Sequence, residues 1–114
     1  MQEILKLLNN SNICDNYKII DYKQGANFNY IKLEANLIKG ILYIRIYMSE
    51  EEYNYSFHWQ NENNELIIRW DNSPHHKNIK TFPHHKHIKQ KVKPSYEISF
   101  EQILNYIENK LDNL

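Results

Sequence analysis

The stretch Tyr53-Asn54-Tyr55-Ser56-Phe57-His58-Trp59-Gln60, the polar run Asn61-Glu62-Asn63-Asn64 and the returning Glu65-Leu66-Ile67-Ile68-Arg69-Trp70-Asp71 together decide the fold. Its first part alternates without a break. Tyr53, Tyr55, Phe57 and Trp59 share one side, and Asn54, Ser56, His58 and Gln60 share the other. That period of two is the signature of a strand with one buried face. A hairpin centred on the asparagine-rich loop sets Trp59 opposite Leu66, Phe57 opposite Ile68 and Tyr55 opposite Trp70. On the other face it sets His58 beside Ile67, Ser56 beside Arg69 and Asn54 beside Asp71. A slip of one residue would turn one apolar set into water, so the faces are strongly specified.

Outward from this hairpin, residues 41–48 alternate equally well. Leu42, Ile44, Ile46 and Met48 lie on one side, and Tyr43, Arg45 and Tyr47 on the other, with Lys39-Gly40 as the preceding turn. Residues 17–24 and 28–36 read as two more strands joined at Gln24-Gly25-Ala26-Asn27. Ile4, Leu5, Leu7 and Leu8 give residues 2–8 a short helical stripe, which Asn9-Asn10-Ser11-Asn12 breaks. Residues 99–112 form the final helix. Ser99 and Gln102 make a capping box, Ile98 can staple onto Ile103, and Ile103, Leu104, Ile107 and Leu111 recur on one face. Residues 72–97 hold all three prolines and read as a long irregular segment. Structureless loops beyond ~12–15 residues are usually functional or disordered. The predicted architecture is α+β in a single domain, 1–114: an antiparallel meander of about five strands with an N-terminal and a C-terminal helix packed against it.

The composition narrows the class. At 114 residues one core suffices, and the lone Cys14 excludes a disulfide framework or a cysteine-rich zinc ribbon. No apolar run approaches the ~20 residues of a membrane helix. The first eight residues lack a cleavage-site pattern, so a cytoplasmic protein without membrane contact is expected. The 14 basic and 14 acidic side chains cancel, but unevenly. Residues 69–93 carry seven Lys/Arg and the single acid Asp71, together with five of the six histidines. A local charge of +6 suggests an anionic partner, and a solvated basic loop is the simpler alternative.

Three readings compete for that segment. His75-His76 and His84-His85-x-His87 supply enough imidazoles for a metal, and His85 and His87 on an extended segment would share a side. No established zinc spacing accompanies them, and Asp71 is the only nearby carboxylate, so no metal and no cofactor are expected. The second reading is metal-free acid–base cleavage of RNA, whose 2′-hydroxyl supplies the nucleophile. Histidine, with an ordinary pKa of ~6.5, suits both proton transfers, and Lys or Arg suits the charged phosphorane. The third reading is structural: histidines beside proline can cap strands or stack on Phe82 or Trp70. For any one histidine the structural role is the simpler account; for the group the functional account has equal standing. Tyr55, Phe57, Trp59 and Trp70 belong to the expected core, which leaves Phe82 as the base-stacking candidate.

The pieces His58-Trp59-Gln60, Arg69-Trp70-Asp71-Asn72-Ser73-Pro74-His75-His76, Thr81-Phe82-Pro83-His84-His85-Lys86-His87 and Lys93-Pro94-Ser95 resemble the TumE family, small prokaryotic toxins of toxin–antitoxin pairs. The resemblance is strongest over residues 55–95 and thin over 1–50. It implies a growth-inhibiting protein with a cognate antitoxin, and the many endoribonucleases among small toxins support RNA as substrate. On this reading His58 and one of His84, His85 or His87 serve as base and acid. Arg69 and Lys86 bind phosphate, and Asp71 orients a histidine or Arg69. His75 and His76 line the cleft or hold the loop, and Lys89 and Lys91 either extend a nucleic-acid track or are a solvated local feature. A non-catalytic nucleic-acid- or nucleotide-binding protein and a metal-dependent hydrolase are the alternatives. An exposed sheet edge would permit a homodimer or strand addition by the antitoxin.

Overall fold

A computed structural model describes residues 2–112; Met1, Asn113 and Leu114, counted in the domain above, lie outside the described residues. Helix α1 (Gln2–Asn9) is followed by strands β1 (Cys14–Gln24), β2 (Phe28–Leu37), β3 (Ile41–Ser49), β4 (Tyr53–Gln60), β5 (Leu66–Asp71), β6 (His85–Ile88) and β7 (Lys91–Pro94), then by helix α2 (Phe100–Asp112). The strands form one sheet in chain order, each antiparallel to the next. This is the expected meander between two helices, with seven strands where about five were expected.

One face of the sheet carries the core. Leu33, Leu42, Ile44, Phe57, Ile68 and Trp70 are buried together with Ile4 and Leu8 of α1 and Phe100, Ile103, Leu104 and Ile107 of α2. Each such side chain contributes about 1.5–3 kcal/mol relative to exposure. The α2 stripe is seated by aromatic contacts: Phe57 lies 5.8 Å from Phe100, and Trp70 meets Tyr106 edge-on at 5.2 Å. The capping box forms as the sequence predicts: Gln102 N–H donates to Ser99 Oγ at 3.2 Å, and Ser99 N–H donates to Gln102 Oε1 at 2.9 Å. Since the buried apolar residues take alternate positions, the opposite sheet face carries mainly polar, charged and tyrosine side chains, with Phe28 stacked on Tyr47 at 5.9 Å.

Two expectations need correction. The segment 72–97 is not irregular throughout, because β6 and β7 form a hairpin within it. Its strands read His-Lys-His-Ile and Lys-Val-Lys-Pro, so few apolar residues mark the period. The turn between them places Lys89 at a φ of 57°, a left-handed position not suggested by its residue type. The β4–β5 register is the second correction. Phe57 pairs with Trp70, His58 with Arg69, Ser56 with Asp71 and Trp59 with Ile68. These four β5 partners are thus shifted by two residues from the expected pairing, and Gln60, opposite Leu66, by one. The loop explains one step of the shift. Asn61 Oδ1 accepts from the backbone N–H groups of Asn63 and Glu65, Asn64 takes a φ of 64°, and Glu65 is absorbed into the turn. A bulge between the Trp59 and Gln60 pairings supplies the other. An even shift preserves the faces, so the predicted core survives while the open-face neighbours change.

Candidate functional site

The open face gains its geometry from this register. One row across the strands runs Tyr43, His58, Arg69 and His87 on β3, β4, β5 and β6. The next row runs Lys32, Arg45, Ser56, Asp71 and His85 on β2 to β6. Arg69 therefore stands between two histidines, one from each flanking strand. Lys32, Tyr43, Arg45, Ser56, His58 and Arg69 line a shallow depression of about 280 Å³. Lys32 and Arg45 are exposed, and neither has an acidic partner among the described residues. Neither was singled out from the sequence. The outward phase of Arg45 on its strand was visible there, but its neighbour Lys32 needs the β2–β3 register.

His58 is half-buried, with Nε2 3.1 Å from Gln60 Oε1 and its ring 6.0 Å from Tyr43. Burial holds its pKa below the ordinary imidazole value; the Arg69 charge adds to this and the Gln60 bond opposes it. The imidazole is thus neutral near pH 7, the state a proton acceptor needs.

Asp71 ends β5 and is only 3% exposed. Its Oδ1 accepts from Ser73 N–H at 3.0 Å and from Ser73 Oγ at 2.6 Å. His85 Nε2 approaches Oδ1 at 2.9 Å, while Arg69 Nε and His87 Nε2 approach Oδ2 at 3.1 and 3.3 Å. The His85 and Arg69 nitrogens are buried and fail hydrogen-bond alignment despite these distances, so both contacts are charge contacts rather than hydrogen bonds. Burial pushes the Asp71 carboxyl up. The Ser73 hydrogen bonds, followed by the His85 and Arg69 charges, outweigh it and hold the group below its ordinary value. The residue is therefore a carboxylate at neutral pH. His87, also partly buried, is held below the ordinary imidazole value by that burial; Asp71 opposes the shift, and the neighbouring His85, Arg69 and His76 charges reinforce it.

The loop between β5 and β6 delivers the remaining member. Asn72 anchors its start as a substitute for strand backbone: Oδ1 accepts from Tyr55 N–H at 3.0 Å, and Nδ2 donates to Tyr53 C=O at 2.6 Å. Thr81 anchors its end, donating to His84 C=O at 2.6 Å and accepting from Ser95 N–H at 3.0 Å. Between these anchors His76 folds onto the open face, its ring 4.7 Å from His85 and 5.5 Å from His87. Asp71, His76, His85 and His87 thus form one centre, next to Arg69.

Other candidates lie apart from it. His84 stacks on Tyr55 with ring centroids 5.8 Å apart, and its Nδ1 is 2.9 Å from the Tyr55 hydroxyl. That tyrosine belongs to the core face, and its phenol is pushed well above the ordinary range, first by burial. Lys86 pairs with Trp70 and alternates away from His85 and His87, so it does not share a face with Arg69. His75 and Phe82 are exposed on the loop, and Lys89 and Lys91 are exposed at the β6–β7 turn.

Fold and site together define a small α+β protein with an imidazole–carboxylate centre and, among the described residues, two cations without an acidic partner on the sheet face opposite the core. The model of one family, described as toxin TumE, matches residues 4–111, and the chain belongs to the TumE toxin family. Comparison with curated proteins and with solved structures yields no match. No helix among the described residues is long and apolar enough to cross a membrane.

Proposed function

We propose that this chain acts as a toxin by cutting RNA on the open face of its sheet, and that a cognate antitoxin restrains it. The observation that supports this reading most directly is the row His58–Arg69–His87, flanked by the unpaired Lys32 and Arg45. Arg69 is placed to hold a phosphate that both histidines can reach, and Lys32 and Arg45 give the neighbouring backbone phosphates a cationic path. In the reaction the 2′-oxygen bonds to phosphorus and the bond from phosphorus to the 5′-oxygen breaks. His58 takes the proton of the 2′-hydroxyl. The departing 5′-oxygen receives a proton from the Asp71–His76–His85–His87 centre beyond Arg69. The product ends in a 2′,3′-cyclic phosphate.

The reading is tested by incubating purified chain with total RNA and determining the ends of any fragments. Cyclic-phosphate ends are expected, with cleavage falling ~10²–10⁴-fold in His58→Ala, as for loss of a general base. Lys32→Ala and Arg45→Ala weaken RNA binding and flatten its salt dependence. Growth arrest with intact RNA, or fragments that persist undiminished in His58→Ala, would overturn the mechanism.

A further inference from the structure

We propose that His76, His85 and His87 bind a divalent transition-metal ion of the zinc class, with the Asp71 carboxylate beside it. One ligand nitrogen from each histidine lies within 4.8 Å of the others. The decisive group is His85, whose side chain is 1% exposed. Its Nδ1 is 2.9 Å from the carbonyl oxygen of Pro83. A carbonyl only accepts, so Nδ1 carries the hydrogen, and in the neutral ring Nε2 is a bare lone pair. That lone pair lies 2.9 Å from a carboxylate oxygen of Asp71 and has no aligned hydrogen-bond partner. Two electron-rich atoms so close in a buried site call for a cation: a proton on Nε2 gives the charge contact with Asp71 described above, and a metal ion beside the pair takes that proton's place. A metal ion satisfies the imidazole lone pair and the carboxylate charge together.

The surroundings have the form of a ligand's outer shell. The Pro83 carbonyl fixes the His85 tautomer, and Ser73 fixes Asp71 through two hydrogen bonds. Nitrogens bound to one tetrahedral ion at ~2.0–2.1 Å stand roughly 3.4 Å apart. His76 and His87 are only partly buried and have room to close by that margin around the fixed His85. Three imidazoles select zinc, cobalt, nickel or copper over magnesium and calcium, which favour oxygen donors. The binding claim stands on this geometry alone. The ion's part in catalysis rests on the RNA-cutting reading: next to Arg69, a water on the ion would be the group that protonates the 5′-oxygen.

The test uses chain freed of metal by chelator and titrated with zinc by calorimetry, and separately with cobalt, whose visible absorption reports coordination. One equivalent per chain is expected. His76→Ala, a change in a loop residue, should keep the folded circular-dichroism spectrum and weaken zinc by at least about 100-fold, beyond the ~10–100-fold typical of losing an outer-shell partner. His75→Ala, one residue away but outside the cluster, should bind as the wild type does. Failure of the wild type to take up zinc, or equal affinities for the two variants, would overturn the site. A chain that binds one zinc and leaves RNA intact would sink the cleavage reading and keep the metal site; cleavage by a chain that takes up no metal would do the reverse.

Discussion

Replacing Asp71 with asparagine removes one charge and changes almost no volume, which makes the cost traceable. One carboxylate oxygen accepts both Ser73 hydrogen bonds, and the other faces Arg69 and His87. An amide has one acceptor. If its oxygen stays on Ser73, its NH2 group confronts the Arg69 guanidinium; if it turns, the NH2 confronts the Ser73 backbone N–H. Either orientation buries a donor against a donor, at about 1–3 kcal/mol. Loss of the Arg69 pair adds at most about 1 kcal/mol, because that side chain is 37% exposed and screened by solvent. The sum, about 3 kcal/mol, divided by an unfolding entropy of roughly 0.24 kcal/mol/K for a chain of this length, lowers Tm by about 12 °C. Thermal unfolding of chelator-treated protein followed by tryptophan fluorescence reads this directly, since Trp70 adjoins the site. A fall below about 3 °C would show that the carboxylate charge does not organise the centre.

Two further outcomes follow from the same geometry. Because the native state holds His58 below its ordinary pKa, the unfolded chain takes up a proton from about pH 6.5 downward that the native chain refuses. Acidification through that window therefore erodes stability. With Tyr43, Arg69, Lys32 and Arg45 left in place around the site, His58→Gln should flatten the fall in urea midpoint; an unchanged slope refutes the reading. Asn72→Ala strips partners from the Tyr55 N–H and the Tyr53 carbonyl, so a loss of about 2 kcal/mol and faster amide exchange at Tyr55 are expected, and unchanged exchange there would refute the anchoring role.

Much of the frame was legible because alternation survives an error in pairing. Tyr55, Phe57, Trp59, Ile68 and Trp70 all lie in the core although their cross-strand partners differ from those expected. Open-face neighbours have no such protection. The pairing of His58 with Arg69 arises from a turn closed by the Asn61 side chain and from a bulge, and neither has a periodic signature. Strands β6 and β7 were hidden for a related reason: their alternating side chains are imidazole and ammonium groups, which register as charge rather than as a buried face. His85 and His87 could be seen to share a side of an extended segment. That His76 joins them depends on how Asn72 and Thr81 anchor the intervening loop, which is tertiary information.

The separation of His84 from His85 shows how the fold sorts a run of like residues into different chemistry. His84 precedes the strand and turns to the core side, where Tyr55 occupies its ring face and one nitrogen. His85 begins the strand and is directed by its pleat toward Asp71, and two residues later His87 repeats that direction beside Arg69. Lys86 between them is carried to the opposite side. The basic segment therefore does not act as one patch. His76, His85 and His87 gather at a single buried carboxylate on the face that also presents Lys32 and Arg45, while Lys86 and Lys93 lie on the opposite face and Lys89 and Lys91 at the β6–β7 turn. An anionic chain drawn by those lysines and an anionic chain held by Arg45 and Arg69 would meet different surfaces. If RNA is cut as proposed, salt-dependent attraction to the first and turnover at the second are separable: substitutions at Lys89 and Lys91 should slow association and leave the rate at saturation intact.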